Sequence, residues 1–118
     1  MNIFKKIAVL AVTAYARRTF EQTAKRAEQR SRETGRPVYV ITDQFSRHNR
    51  LMILTYREYK TLRNSLGFEP IYFSLPRLRS SCWYHTEDTE GTLSNKDRET
   101  RKRAFVKDCL INAKLVTE

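Results

Sequence analysis

The sequence predicts an α+β fold: a long N-terminal helix, a small, mainly antiparallel sheet of three or four strands, a short helix packed on that sheet and a C-terminal helix. Three observations predict it. Apolar residues recur at helical spacing over 3–34 and again over 94–113. Two short β-branched runs, 37–42 and 51–54, flank a polar connection. The chain has only three Gly and three Pro, and Gly35 with Pro37 and Gly67 with Pro70 fall where helices stop. The organisation read from this pattern is a basic amphipathic helix over 1–36, a small α+β core over 37–93 and a basic helix over 94–118.

The first helix is expected over residues 3–34. Ile3, Ile7, Leu10 and Ala14 adjoin Phe4, Ala8, Ala11 and Tyr15 as two apolar rows, continued more thinly by Phe20, Ala24 and Ala27. Arg18, Gln22, Arg26 and Arg30, at steps of four, are placed on the opposite, outward side. Lys5-Lys6 followed by the apolar run Ile7 to Ala16, ending Ala14-Tyr15-Ala16, is similar to a short signal peptide. Arg17-Arg18 and a helical pattern that runs through the supposed cleavage site oppose that reading. At about ten residues the run is half of what spans a bilayer.

A hairpin is expected next. Its strands are Pro37 to Thr42 and Leu51 to Leu54, and its connection carries Arg47, His48 and Arg50. Thr55-Tyr56-Arg57-Glu58 is a capping box, with Leu54 and Tyr59 placed as a hydrophobic staple. It opens a helix over 56–66, buried through Tyr59, Leu62 and Leu66, with Arg57, Lys60 and Arg63 outward. Residues 71–75 alternate and read as a third strand, and 81–86 as a fourth. An acidic loop follows with Glu87, Asp88 and Glu90. Ser94 then caps the last helix, and Asp97 suits its first turn.

Charge is the strongest functional signal. The chain of 118 residues holds 23 Lys and Arg against 13 Asp and Glu, a net of +10, and Arg outnumbers Lys 15 to 8. The balance is +6 over 1–36, +4 over 37–80, −3 over 81–93 and +3 over 94–118. Such a surface attracts polyanions or acidic protein faces, and guanidinium grips phosphate and carboxylate with paired hydrogen bonds. The candidate polyanion or partner-binding residues are Arg47 and Arg50 on the hairpin loop, Arg77 and Arg79 ahead of Trp83 and Tyr84, and Arg101, Lys102 and Arg103 on the last helix. Basic groups interleaved with aromatics can follow a phosphate backbone and stack on bases.

Enzymatic motifs are missing from the sequence. Three scattered Gly build no phosphate loop. His48, Cys82, His85 and Cys109 are the only Cys and His, and Cys82-x-x-His85 is a nominal zinc half-site. The remaining pair fits no finger spacing, so a buried Cys109 and ordinary polar His residues are expected, with no metal and no cofactor. Two Cys make no disulfide framework, which favours a reducing compartment.

The run Val40-Ile-Thr, loop, Leu51-Met-Ile-Leu-Thr-x-x-Glu58-Tyr59-x-x-Leu62 resembles the strand–strand–helix core of Phd/YefM-type antitoxins. It covers about a fifth of the chain. The long first helix and the last helix lie outside that pattern. The resemblance implies a nucleic-acid-binding regulator.

The expected function is a non-enzymatic structural or assembly subunit, in the cytoplasm or within a virus (phage) particle near nucleic acid. Its first helix exceeds what a small core buries, and the aromatic stretch Phe68 to Tyr84 exceeds what a monomer needs. The partner is a larger protein assembly or a homo-oligomer, with nucleic acid contact and no membrane. The alternative is a nucleic-acid-binding regulator of antitoxin or repressor type.

Overall fold

The computed structural model describes residues 2–43, 50–65, 75–87 and 93–117. Among them are four helices and one three-stranded antiparallel sheet, the α+β fold predicted. Helix α1 runs Ile3–Thr34, β1 Val38–Thr42, β2 Leu51–Thr55 and α2 Tyr56–Ser65. Helix α3 runs Leu75–Ser81, β3 Tyr84–His85 and α4 Asn95–Asn112. The chain forms two compact units, residues 1–22 with 94–118 and residues 23–93, so the division falls inside α1.

The first unit is a pair of helices. The Asn2 side chain caps α1 by accepting from the Lys5 amide at 2.7 Å. Ser94 caps α4 by accepting from the Asp97 amide, as its sequence position predicts. The helices run antiparallel: Glu21 meets Arg98 and Lys102, while Lys5 lies beside residues 111 and 114–117. Phe20 and Phe105 pack with ring centroids 6.2 Å apart, both buried, with Ala16 and Cys109 buried on the same two helices. At its C-terminus α4 closes with a Schellman turn. The Lys114 amide donates to the Ile111 carbonyl (2.9 Å) and the Leu115 amide to the Leu110 carbonyl (3.0 Å). Lys114 takes φ 60° there, where Gly is the usual residue.

The second unit is layered around the sheet, in strand order β2-β1-β3. Tyr39 pairs with Leu54 and His85, and Ile41 with Met52, on one face. That face packs with Tyr59 of α2 and with Leu78 and Cys82. Val38, Val40 and Tyr84 line the other face, where the Tyr84 hydroxyl donates to Glu28 of α1 at 2.6 Å. Both faces of β1 are thus covered, which explains why Val-Tyr-Val-Ile is continuously apolar rather than alternating. Gly35 ends α1 at φ 68°, its amide bonded to the Ser31 carbonyl at 2.8 Å.

The capping box is present as read. The Thr55 amide donates to Glu58 Oε1 at 3.0 Å, and the Glu58 amide donates to Thr55 Oγ1 at 3.2 Å. Leu54 and Tyr59 share one cluster, as the staple requires.

Three expectations are corrected. Leu75, assigned to a third strand, opens α3 instead; the rest of that run lies outside the described residues. Pro76 suits a first helical turn, where its missing N–H costs nothing. The fourth strand shrinks from 81–86 to Tyr84–His85, because α3 holds Ser81. Arg30 does not continue the outward row of Arg18, Gln22 and Arg26. Four residues advance a helix by 40° beyond a full turn, so the row drifts until Arg30 faces the sheet unit. There its guanidinium donates to the Ile53 carbonyl (2.7 Å) and to both Glu58 oxygens (2.7 and 2.8 Å).

Candidate functional site

In the helical unit, residues 3–16 of α1 are apolar on nearly every side, but α4 is a single helix and covers only one. Ala16 and Phe20 face inward, with Val9 and Val12 half-buried. The two apolar rows fall largely on the outward side. Phe4 is 80% exposed and Leu10 70%, with Ile3, Ile7 and Tyr15 also more than half exposed. Lys5, Lys6, Arg17 and Arg18 bracket this face, and the first acidic residue of the chain is Glu21.

Between α1 and α4 lies an open groove of about 370 Å³, lined by Arg17, Glu99, Lys102, Arg103, Val106, Lys107 and Leu110. The Glu21 carboxylate receives Arg98 (2.7 Å) and Lys102 (3.1 Å), and Lys102 also reaches Glu99 (2.8 Å). The Arg98 hydrogen bond, with Lys102 behind it, holds Glu21 below the usual carboxylate range against the opposing effect of burial. Glu99 holds the Lys102 ammonium up. Lys102 is therefore balanced. Arg17, Arg103 and Lys107 line the same groove without an ion pair among the described residues.

The sheet unit treats its candidates differently. Arg79 of α3 forms a two-pronged pair with Glu87 (Nη2 to Oε1 2.9 Å). Burial pushes the Glu87 carboxyl up, but Arg79 and the Tyr39 hydroxyl outweigh it and hold the group low. Burial, with the Glu87 charge behind it, pushes the Tyr39 hydroxyl up. Arg77 is exposed on α3, and Arg50 is exposed ahead of β2. Trp83 is half-buried, its indole N–H donating to Thr42 Oγ1 at 2.8 Å. Tyr84 is 1% exposed and has no free ring face for a base to stack on. Its hydroxyl donates to Glu28 at 2.6 Å, which makes it a core residue of the sheet unit.

Arg47 and His48 lie outside the described residues, as do Asp88 and Glu90. Cys82 and Cys109 are buried thiols, not joined in a disulfide. Cys82 Sγ contacts the Arg79 carbonyl, and His85 Nδ1 accepts from the Glu87 amide at 3.3 Å. Among the described residues no cluster of His, Cys, Asp and Glu could hold a metal ion, and no helix is long and apolar enough to cross a membrane.

Of the candidates read from sequence, Lys102 and Arg103 line one groove, while Arg101 is half-buried and held by other contacts. Arg50, Arg77, Arg79, Trp83 and Tyr84 belong to the sheet unit. Sequence reasoning missed Arg17 and Lys107 as groove residues. Arg17 lies some 90 positions from its partners and carries no local mark. No family model, curated protein or solved structure matches the chain.

Proposed function

We propose that the chain is a non-enzymatic assembly subunit that packs into a larger protein complex through the outward face of α1. The observation that carries this reading is the run of large apolar side chains, Ile3, Phe4, Ile7, Leu10 and Tyr15, exposed along one helix. A helix apolar on all sides belongs in a buried setting, and an exposed patch of this kind marks an interface. The partner face is apolar and bordered by carboxylates, since four cations and no acid accompany residues 3–20. The same charges set two copies of this helix against each other, in parallel or antiparallel pairing. A particle built around packaged nucleic acid, such as a virion, would use both the apolar face and the cationic groove. A nucleic-acid-binding regulator would leave the apolar face unexplained.

The test is the native mass of the chain recovered from its source, measured beside the Ile7→Glu variant. Recovery of the unaltered chain in a complex of fixed stoichiometry, with the variant left free, is the expected result. Recovery of the unaltered chain as a lone monomer would refute the reading.

A further inference from the structure

We infer that the groove between α1 and α4 binds the phosphate backbone of single-stranded nucleic acid through Arg17, Arg103 and Lys107. Arg103 and Lys107 sit four residues apart on α4, where like charges destabilise a helix by a few tenths of a kcal/mol. Glu99 stands one turn before Arg103, but its carboxylate goes to Lys102 at 2.8 Å. Arg17 adds a third cation from the opposite wall. Three unbalanced cations around one groove repel each other, and a bound polyanion relieves that repulsion while releasing its counterions.

The ligand class follows from shape and lining. Arg103 and Lys107 are about 6 Å apart along the helix axis, a spacing that suits neighbouring phosphates of an extended strand. Val106 and Leu110 supply an apolar floor for sugars and base faces. Bases of a single strand can turn onto that floor, whereas a duplex keeps its base faces stacked inside. The proposal shares Arg17 with the border of the α1 face that the assembly reading uses, while Arg103 and Lys107 lie on α4 alone.

The experiment is fluorescence anisotropy with a labelled twelve-nucleotide oligothymidylate, from 50 to 200 mM salt. The full chain is compared with Arg103→Gln/Lys107→Gln, with Arg17→Gln and with a charge-matched control, Lys25→Gln/Arg26→Gln. Arg103 and Lys107 are exposed, so the fold is retained, and far-UV circular dichroism checks this. The groove double variant is expected to bind about tenfold more weakly at 100 mM salt, with a salt slope shallower by about 1.4, two single-strand phosphate contacts' worth. Arg17→Gln should lower affinity in the same direction, and the control should change it less than about twofold. Equal losses in the groove and control variants would mean diffuse attraction and would overturn the proposal. So would absence of binding at 50 mM salt, tighter binding of a twelve-base-pair duplex, or equal competition by polyglutamate.

Discussion

Glu58 closes an exposed strand edge as well as a helix end, and its removal has a calculable cost. Trp83 donates to the Val40 carbonyl and Thr86 to the Val38 carbonyl, so these residues face β3. By the alternation of an antiparallel ladder, Tyr39 and Ile41 then face β2, and Leu51, Ile53 and Thr55 turn their backbone groups away from the sheet. Arg30 occupies the Ile53 carbonyl and Glu58 the Thr55 amide, while the two side chains hold each other. Glu58→Ala removes the bond to the Thr55 amide, about 0.5–1 kcal/mol. It also removes the ion pair, whose side chains are 37% and 41% exposed, and solvent screening limits that contribution to about 0.5 kcal/mol. Looser seating of Arg30 on Ile53 adds about 0.5 kcal/mol. The total is about 1.5–2 kcal/mol. Glu58→Gln keeps an acceptor for Thr55 and should cost about a third of this. Trp83 is the only tryptophan and lies in the sheet unit, so its fluorescence follows urea unfolding of that unit. With an m-value of about 1 kcal/mol/M, the Ala midpoint should fall by about 1.5 M and the Gln midpoint by about 0.5 M. Equal midpoints for Gln and Ala would sink this account. So would a double-mutant cycle of Arg30→Ala with Glu58→Ala that shows no coupling.

Phe105→Ala empties the centre of the helical unit and should cost about 3 kcal/mol or more, enough to melt so small a helix pair; a separate, earlier loss of far-UV ellipticity checks it. Lys114→Gly should raise the thermal stability of the same unit by about 0.5–1 kcal/mol, because Gly removes the penalty of a left-handed residue in the Schellman turn. Gly35→Ala should act in the reverse sense by about 1 kcal/mol; no atom lies within 4 Å of the added methyl, so the cost is one of backbone conformation alone. Acid should destabilise both units. Glu21, Glu58 and Glu87 are all held below their ordinary value. Their contribution is complete above about pH 4.3 and is lost as the pH falls through their lower folded values. Melting temperatures should therefore be flat from pH 7 to 5 and drop below pH 4; a decline beginning at pH 6 would contradict the assignment.

Elements with a short-range chemical signature were legible in the chain. Thr55 and Glu58, three positions apart, announced both a helix start and the strand before it. Ser94 with Asp97 did the same for α4, and Gly35 marked a stop that demands positive φ. Where the chain departs from the preferred residue, the reading failed. Lys114 closes α4 without Gly. Helix α3 begins on Leu75-Pro76 after an alternating stretch that carries the stronger strand signal. Its two turns are held by Leu78 in a cluster with Tyr39 and Tyr59, a tertiary contact that no window of seven residues contains.

The candidate site was less legible, for two physical reasons. The sign of a helix face is decided by what packs on it, and residues 3–16 are apolar around most of the circumference. Sequence therefore identifies the apolar rows but not which of them α4 leaves uncovered. A charge also carries no mark of whether it is balanced. Arg30, Arg79 and Lys102 look like Arg103 and Lys107 in the chain, yet folding spends the first three on Glu58, Glu87, and Glu21 with Glu99. Net charge sums these two kinds of cation together. What a polyanion meets is the difference: of two neighbouring candidates on the last helix, Arg103 belongs to it and Lys102 does not.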